Sequence, residues 1–242
     1  VKQSAFQPLP GGFLATQPND IEALEATFAE NDDIAAILVE TVQGECGVYP
    51  LSPEYLARAA ELAHAHGALL ICDEVQCGIY RCGAPYAFQV LGTTPDIVTM
   101  AKGIAGGLPM SGIMANEKCR NVLGPGTHAT TFGANPVCAA AGLVVQETLS
   151  DAFLEEVKAK GAYLRKGIEE LNLPCFGKTR GMGLMIGIEV KEGYNKSEIA
   201  NKLIENGLLV LTAGPGMRLL PPLVITKEEM DQGLAIMEKA LG

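Results

Sequence analysis

The sequence predicts an α/β fold with a mostly parallel sheet, and three observations carry that prediction. Short, strongly apolar runs at Ile34–Val39, Ala68–Cys72 and Asp96–Met100 have the length and composition of buried strands. Helical patterns are interleaved with them, and strand–helix–strand order favours a parallel sheet. Polar residues follow the runs: Glu40, Asp73 and, one residue beyond Ala101, Lys102. Ligands of open α/β sheets bind outside the carboxyl ends of the strands, so these three residues point to one crevice.

Each element has its own local reason. Asn19 or Asp20 can cap a helix over Ile21–Ala29. Ser52 at the N-cap and Pro53 at the first helical position open a second helix through His66, which Gly67 stops. Ser111–Ala115 reads as a fourth strand. Beyond Pro136 the pattern changes. Val137–Leu149 is an apolar helix, and Asp151–Leu171 is a long amphipathic one with Phe153, Leu154, Val157, Leu164, Ile168 and Leu171 on its apolar side. Shorter alternating pieces follow: strands at Leu184–Val190, Leu208–Leu211 and Met217–Leu220, helices at Lys196–Asn206 and Lys227–Leu241. The expected division is a large domain over 1–148 and a smaller C-terminal α/β domain over 149–242.

Composition narrows the function classes. The chain has 242 residues, 48% hydrophobic and 19% charged, which excludes a disordered chain. A net charge of −10 argues against nucleic acid as a partner. No apolar run reaches the ~20 residues of a membrane helix, so no membrane association is expected. Seven cysteines, an odd number with no C-x-x-C pair, fit a reducing cytoplasm better than a disulfide framework. Cys72, Cys77 and Cys82 recur every five residues, but metal sites need closer pairs and usually histidines; small buried or loop thiols explain them better.

Lys102 is the chemical centre. It is the one charge between Asp96 and Glu117, in an apolar and glycine-rich stretch. A buried lysine has a depressed pKa, and its neutral amine can condense with an aldehyde cofactor. A surface lysine in a glycine-rich turn is the plainer reading of that stretch alone. Asp73 changes the balance, ending its strand twenty-nine residues earlier. A carboxylate for a pyridinium nitrogen and a lysine for an aldehyde are what pyridoxal phosphate asks of a protein. Asp73-Glu74 could instead be a helix cap or a metal-binding acid pair. The loop Gly124–Pro136, rich in Gly and Thr, could hold a phosphate or simply be a turn.

Asp73-Glu-Val-Gln-Cys-Gly78, Pro95-Asp-Ile-Val-Thr-Met-Ala-Lys-Gly103, Thr131-Phe-Gly-Ala-Asn-Pro136 and Glu40-Thr-Val-Gln-Gly-Glu-Cys-Gly47 together resemble the class III (subgroup II) pyridoxal-phosphate aminotransferases of fold type I. Arg180–Gly187 and Met217–Leu223 resemble their C-terminal domain. Within that family the stretch Val210–Gly214 with Met217-Arg218 resembles the acetylornithine-specific branch. The resemblance implies that Lys102 holds the cofactor aldehyde and moves a proton during catalysis, and that Asp73 pairs with the pyridine nitrogen. Val75 packs on the ring, Gln76 lies near the phenolic oxygen, and Glu74 falls within the same cofactor-binding stretch. Thr131 contacts the phosphate from a partner subunit, so a homodimer is implied, and Thr130 contacts substrate. Arg218 binds the substrate α-carboxylate, Glu45 gates that arginine, and Glu40 supports the site from behind. The implied substrates are N-acetylornithine as amino donor and 2-oxoglutarate as acceptor. Another ω-amino donor, a racemase or decarboxylase chemistry, and a non-catalytic module keeping the fold are the alternatives. Departures from the family pattern are Thr41 for proline, Ala134 for glycine, Thr130 for serine, and cysteines at 46 and 82. The family's N-terminal part has no counterpart, so the chain reads as the C-terminal portion of such an enzyme.

Overall fold

The structure, a computed structural model, describes residues 3–242. After a 3-10 turn at Ser4–Phe6, helix α1 (Ile21–Glu30) starts at Asp20, whose carboxylate accepts the Ala23 amide. Asn19, the other candidate cap, has φ +63 and instead joins the amide of Ser52 to the carbonyl of Pro50. Strand β1 (Ala36–Glu40) leads into a small hairpin, β2 (Val42–Gln43) and β3 (Tyr49–Pro50). Helix α2 (Pro53–Ala65) begins as expected, with Ser52 Oγ accepting the Tyr55 amide, and ends before Gly67 at φ +71. Then come β4 (Leu69–Asp73), the one-turn helix α3 (Ala87–Val90), β5 (Ile97–Met100), a 3-10 turn at Lys102–Ala105, and β6 (Gly112–Ala115).

These strands make a sheet of order β1-β4-β5-β6, parallel across the first three and antiparallel at β6. The link from β5 to β6 is too short for the crossover a parallel neighbour needs, so β6 returns the other way. Register places Val39, Cys72, Val98 and Met114 on one face, and Leu38, Ile71, Ile97 and Ala115 on the other. The first face packs on α1 and α2 through Leu24, Phe28, Tyr55, Leu56 and Leu70. The second stays open, with Leu38 61% and Ile113 57% exposed. At the amino end of β5, Asp96 is buried and accepts from the Leu70 amide, His64, Asn116 and Lys118. Burial alone would raise its pKa; those donors overrule burial and hold it well below the usual carboxylate range.

Helices α4 (Pro136–Thr148) and α5 (Asp151–Glu170) are capped by Asn135 and Ser150. Beyond them β7 (Phe176–Met182), β8 (Met185–Val190), α6 (Lys196–Glu205), β9 (Leu211–Ala213), β10 (Gly216–Leu219) and α7 (Lys227–Leu241) form the smaller C-terminal α/β region. Its sheet, order β7-β8-β10-β9, is wholly antiparallel. The core there is Val157, Ile168, Leu184, Ile186, Ile188, Leu203 and Met217, all nearly or wholly buried. Each such side chain stabilises the fold by roughly 1.5–3 kcal/mol.

Two sequence expectations shift. β9 begins at Leu211 rather than Leu208, because Gly207 (φ +94) turns the chain and leaves Leu209 83% exposed. β7 was not expected at all. Among the described residues no single helix is long and apolar enough to cross a membrane, though α4 and α5 taken together, bent by 78°, have the length and composition of a broken span.

Candidate active site

The carboxyl edge of the first sheet gathers the residues that matter. Register aligns Glu40, Asp73 and Thr99 across β1, β4 and β5, so the three side chains share one face at one end. Asp73 Oδ1 accepts the Val75 amide at 2.9 Å, which fixes the carboxylate against its own turn. Thr99 Oγ1 is buried without a partner. Lys102 follows three residues later on the same edge, as the strand-end pattern predicts. Lys102 is exposed, the plainer of the two readings of its stretch. The Gly103–Gly107 turn, with φ +61 and +107 at Gly106 and Gly107, carries it outward from the sheet.

The backbone around this edge is strained. Lys102 (φ +48), Ile79 (φ +49), Tyr80 (φ +66) and Val48 (φ +61) all lie in the left-handed region that non-glycine residues avoid, at about 1–2 kcal/mol each. Val48 is wholly buried and Ile79 is 7% exposed, so packing holds both in place. The Ile79 side chain lies against Gly103, within ordinary contact of where a Cβ would stand. The strained turn after β4 thus touches the strained turn that carries Lys102.

Glu74 turns the other way from Asp73. It is wholly buried, and both oxygens are occupied: Oε1 accepts Thr41 Oγ1 at 2.6 Å and the Phe88 amide at 2.9 Å, Oε2 accepts the Ala87 amide at 2.9 Å and Cys77 Sγ at 3.2 Å. It braces the interior instead of facing the edge beside Asp73. Thr41, the departure from the family's proline, supplies one of its donors. Burial first and the Glu74 charge second push the Cys72 thiol up to about 12. The same two causes raise Cys77 and Cys82.

A second group forms where the hairpin meets the C-terminal sheet. Arg218 sits on β10, in register with Gly187 of β8 and Leu211 of β9, and is 7% exposed. Its Nη1 donates to Glu45 Oε1 at 2.7 Å and to Gln76 Oε1 at 2.8 Å, while its Nε is buried without a partner. Gln76 Nε2 donates to Glu45 Oε1 at 3.3 Å. Glu40 reaches the same hairpin, accepting the Gly44 amide at 3.0 Å. Arg180 closes it from the other side: Nε donates to the Gly47 carbonyl at 2.7 Å and the guanidinium lies 4.2 Å from the Tyr49 ring centre.

The structure therefore joins Asp73, Val75, Gln76, Glu40, Glu45 and Arg218, with Lys102 on the shared edge. Thr130 and Thr131 remain apart, exposed in the loop before α4 beside Phe132 at 81% exposure. Ala134 in that loop has φ +55, the conformation for which glycine is suited. Sequence reasoning missed Thr41, Thr99 and the Arg180 clamp. Thr41 had a signal, since a hydroxyl in place of proline gains a donor; Thr99 had none, because strand register cannot be read along one strand.

Comparison with known proteins agrees with this geometry. The family described as Aminotransferase class-III matches residues 9–241. The acetylornithine aminotransferase of Haemophilus ducreyi is 42% identical over 236 residues, 98% of this chain and 59% of that protein. Its counterpart from Caldanaerobacter subterraneus subsp. tengcongensis is 42% identical over 240 residues, 98% and 60% respectively. Among solved structures, the acetylornithine aminotransferase from Elizabethkingia anophelis superposes with a TM-score of 0.85 at 37% identity, covering 96% of this chain and 63% of that one. The ornithine aminotransferase from Toxoplasma gondii gives 0.89 at 34%, covering 98% and 58%. The chain thus spans about three fifths of the length of the curated relatives it matches. With strand ends, motifs and fold in agreement over nearly its whole length, the chain belongs to the class-III aminotransferase family.

Proposed function

We propose that this chain carries the lysine-bearing part of a pyridoxal-phosphate-dependent transamination site, with N-acetylornithine as amino donor and 2-oxoglutarate as acceptor. The observation that carries the reading is the placement of Asp73 and Lys102 on one carboxyl edge, one strand apart. The edge fits the cofactor: an exposed amine, a carboxylate in a fixed orientation, and a buried hydroxyl, Thr99 Oγ1, still lacking a partner. Bound there, pyridoxal phosphate supplies an aldehyde and an electron-withdrawing ring. Lys102 Nζ would hold the cofactor through its aldehyde, and the same amine would move a proton at the substrate carbon that bears the reacting nitrogen. The Asp73 carboxylate would keep the ring nitrogen protonated, and Val75 would pack on the ring. Thr131 serves the phosphate from a partner subunit, which makes the working unit a homodimer with shared sites; the exposure of its loop supports that reading.

Arg218 is a fixed, nearly buried cation suited to a substrate carboxylate. Acetylornithine reacts through its side-chain amine and presents no carboxylate there, whereas 2-oxoglutarate does. Glu45 neutralises Arg218 for the donor and leaves it for the acceptor. The acetylornithine assignment is supported by 42% identity to two proteins of that name.

The test is chemical. Chain incubated with pyridoxal phosphate and reduced with borohydride is expected to carry the label on Lys102 by peptide mass, and Lys102→Ala to carry none. Asp73→Asn is expected to keep the label while single-turnover rates fall by about 10² or more. Label on Lys118 or Lys178 would overturn the assignment.

A further inference from the structure

The Arg218 cluster holds one polar group more than a charge pair needs. Arg218 Nη1 donates to two acceptors, Glu45 Oε1 and Gln76 Oε1, and the Gln76 amide donates back to that same Glu45 oxygen. The three side chains close a ring. Their freedom differs. Arg218 is 7% exposed and lies in the middle of a four-stranded sheet, whereas Glu45 is 53% exposed on the hairpin. Gln76 is backed by main chain: a Cβ on Gly44 would stand 1.7 Å from its Oε1 and 2.3 Å from its Cδ. Gly44 is in turn held by the hydrogen bond that its backbone N–H donates to the Glu40 carboxylate. Glu45 is therefore the member able to leave.

We infer that Gln76 is a positioning residue for Glu45, a latch that holds the carboxylate on Arg218 and thereby sets how readily Arg218 becomes available to a substrate carboxylate. The inference rests on the reading of Arg218 given above. The thermodynamic argument is a difference between two states. The Arg218–Gln76 bond is made whether Glu45 is present or gone, so it cancels. The Gln76–Glu45 bond is made only while the pair is closed, so it favours the closed state. A bond to a charged acceptor is stronger than a neutral one, but 3.3 Å and partial exposure weaken it. The expected bias is roughly three- to tenfold. Gly44 belongs to the device, because any side chain there would push the amide out of the ring.

Glutarate is a suitable probe: it has the acceptor's length and two carboxylates but no keto group to react. Calorimetric titration of the full chain at fixed ionic strength is expected to show Gln76→Leu binding glutarate three- to tenfold more tightly than the unmodified chain. Glu45→Ala should bind more tightly still. The double variant should match Glu45→Ala, because a latch has nothing to hold once Glu45 is gone. Gly44→Ala should reproduce Gln76→Leu while touching neither charge; thermal melts identify any variant that does not fold, and Gln76→Leu, of similar volume, decides the matter without Gly44→Ala. Unchanged or weaker glutarate binding by Gln76→Leu, or a gain that persists in the Glu45→Ala background, overturns the latch. Arg218→Ala should abolish binding in every background. If it does not, or if neither the unmodified chain nor Glu45→Ala binds glutarate, the Arg218 reading fails and the latch with it. Loss with Arg218→Ala but no effect of Gln76→Leu removes the latch alone.

Discussion

A carboxylate at one position and its neighbour can do opposite work, and Asp73 and Glu74 show how strand geometry decides it. Alternation along β4 sends Asp73 to the open face with Glu40 and Thr99, and sends Glu74 into the interior with Thr41 and Cys77. Burial, and then the charge of that carboxylate, sets the chemistry of the nearby thiols. A thiol held up to about 12, as Cys72 is, has roughly a thousandfold less thiolate at neutral pH than one near 9.0. Cys72, Cys77 and Cys82 should therefore resist maleimide at pH 7.5 until the chain is denatured, while exposed Cys46 reacts first; peptide mapping after timed quenching reads the order. The sign of the pH effect follows. The folded state keeps a proton on Cys72 that the unfolded chain releases near pH 9, so its contribution is intact below that pH and is lost between about 9 and 12. The sequence showed the thiols as buried or loop residues but not the carboxylate among them, since that contact joins β4 to α3 and to residue 41.

Elements whose burial could be read along the chain came through, and those defined by a neighbour did not. α2 was legible at both ends because Ser52, Pro53 and Gly67 act within one turn. β7 was not, because Phe176-Gly-Lys-Thr-Arg-Gly-Met182 has no apolar alternation; it is a strand because β8 pairs with it, with an irregularity between Phe176 and Thr179. The antiparallel sense of β6 was equally invisible in its own residues and is dictated by the short return from β5. Helix α5 shows the same rule at the level of packing. Gly161 sits mid-helix, where alanine would ordinarily gain about 1 kcal/mol. Yet a Cβ there would stand 1.9 Å from the carbonyl oxygen of Gly183, in the turn between β7 and β8. Gly183 is itself pressed on Arg81 and Cys82 backbone, so it has no room to give. Gly161→Ala should thus destabilise, by roughly 1–3 kcal/mol, against the helix propensity. Urea unfolding reads it: a raised midpoint would mean that the turn relaxes.

The candidate site exists only because two sheets are held against each other: Val42, Val48, Cys77, Cys82 and Ala87 of one half bury Met185 of the other, and three arginines add polar ties across the same contact. Arg218 and Arg180 bind the hairpin at Glu45 and Gly47, while Arg81, just after the strained turn at Ile79 and Tyr80, reaches across to the carbonyls of Leu184 and Pro221 at 3.2 and 2.6 Å. Its own carbonyl accepts the Leu184 amide at 3.0 Å. That placement was legible only as a motif, Arg180–Gly187 and Met217–Leu223 together; which carbonyl each arginine meets is a property of the docked halves. Arg81 is mostly buried, and burial lowers its pKa without neutralising it, so the charge depends on those carbonyl acceptors. Arg81→Ala leaves two interior carbonyls without a donor, at about 1–3 kcal/mol each. The loss falls on the contact between halves, not on either core, because Leu56 and Leu70 on one side and Ile186 and Leu203 on the other keep their packing. Thermal unfolding should therefore change in shape as well as midpoint, with a single transition separating into two. Hydrogen exchange should rise first in the hairpin of β2 and β3 and in the 183–185 turn, while amides of β4 and β8 stay protected. An Arg81→Ala chain that still unfolds in one transition at the original midpoint would show that the apolar cluster around Met185, with Arg180 and Arg218, holds the sheets together without it.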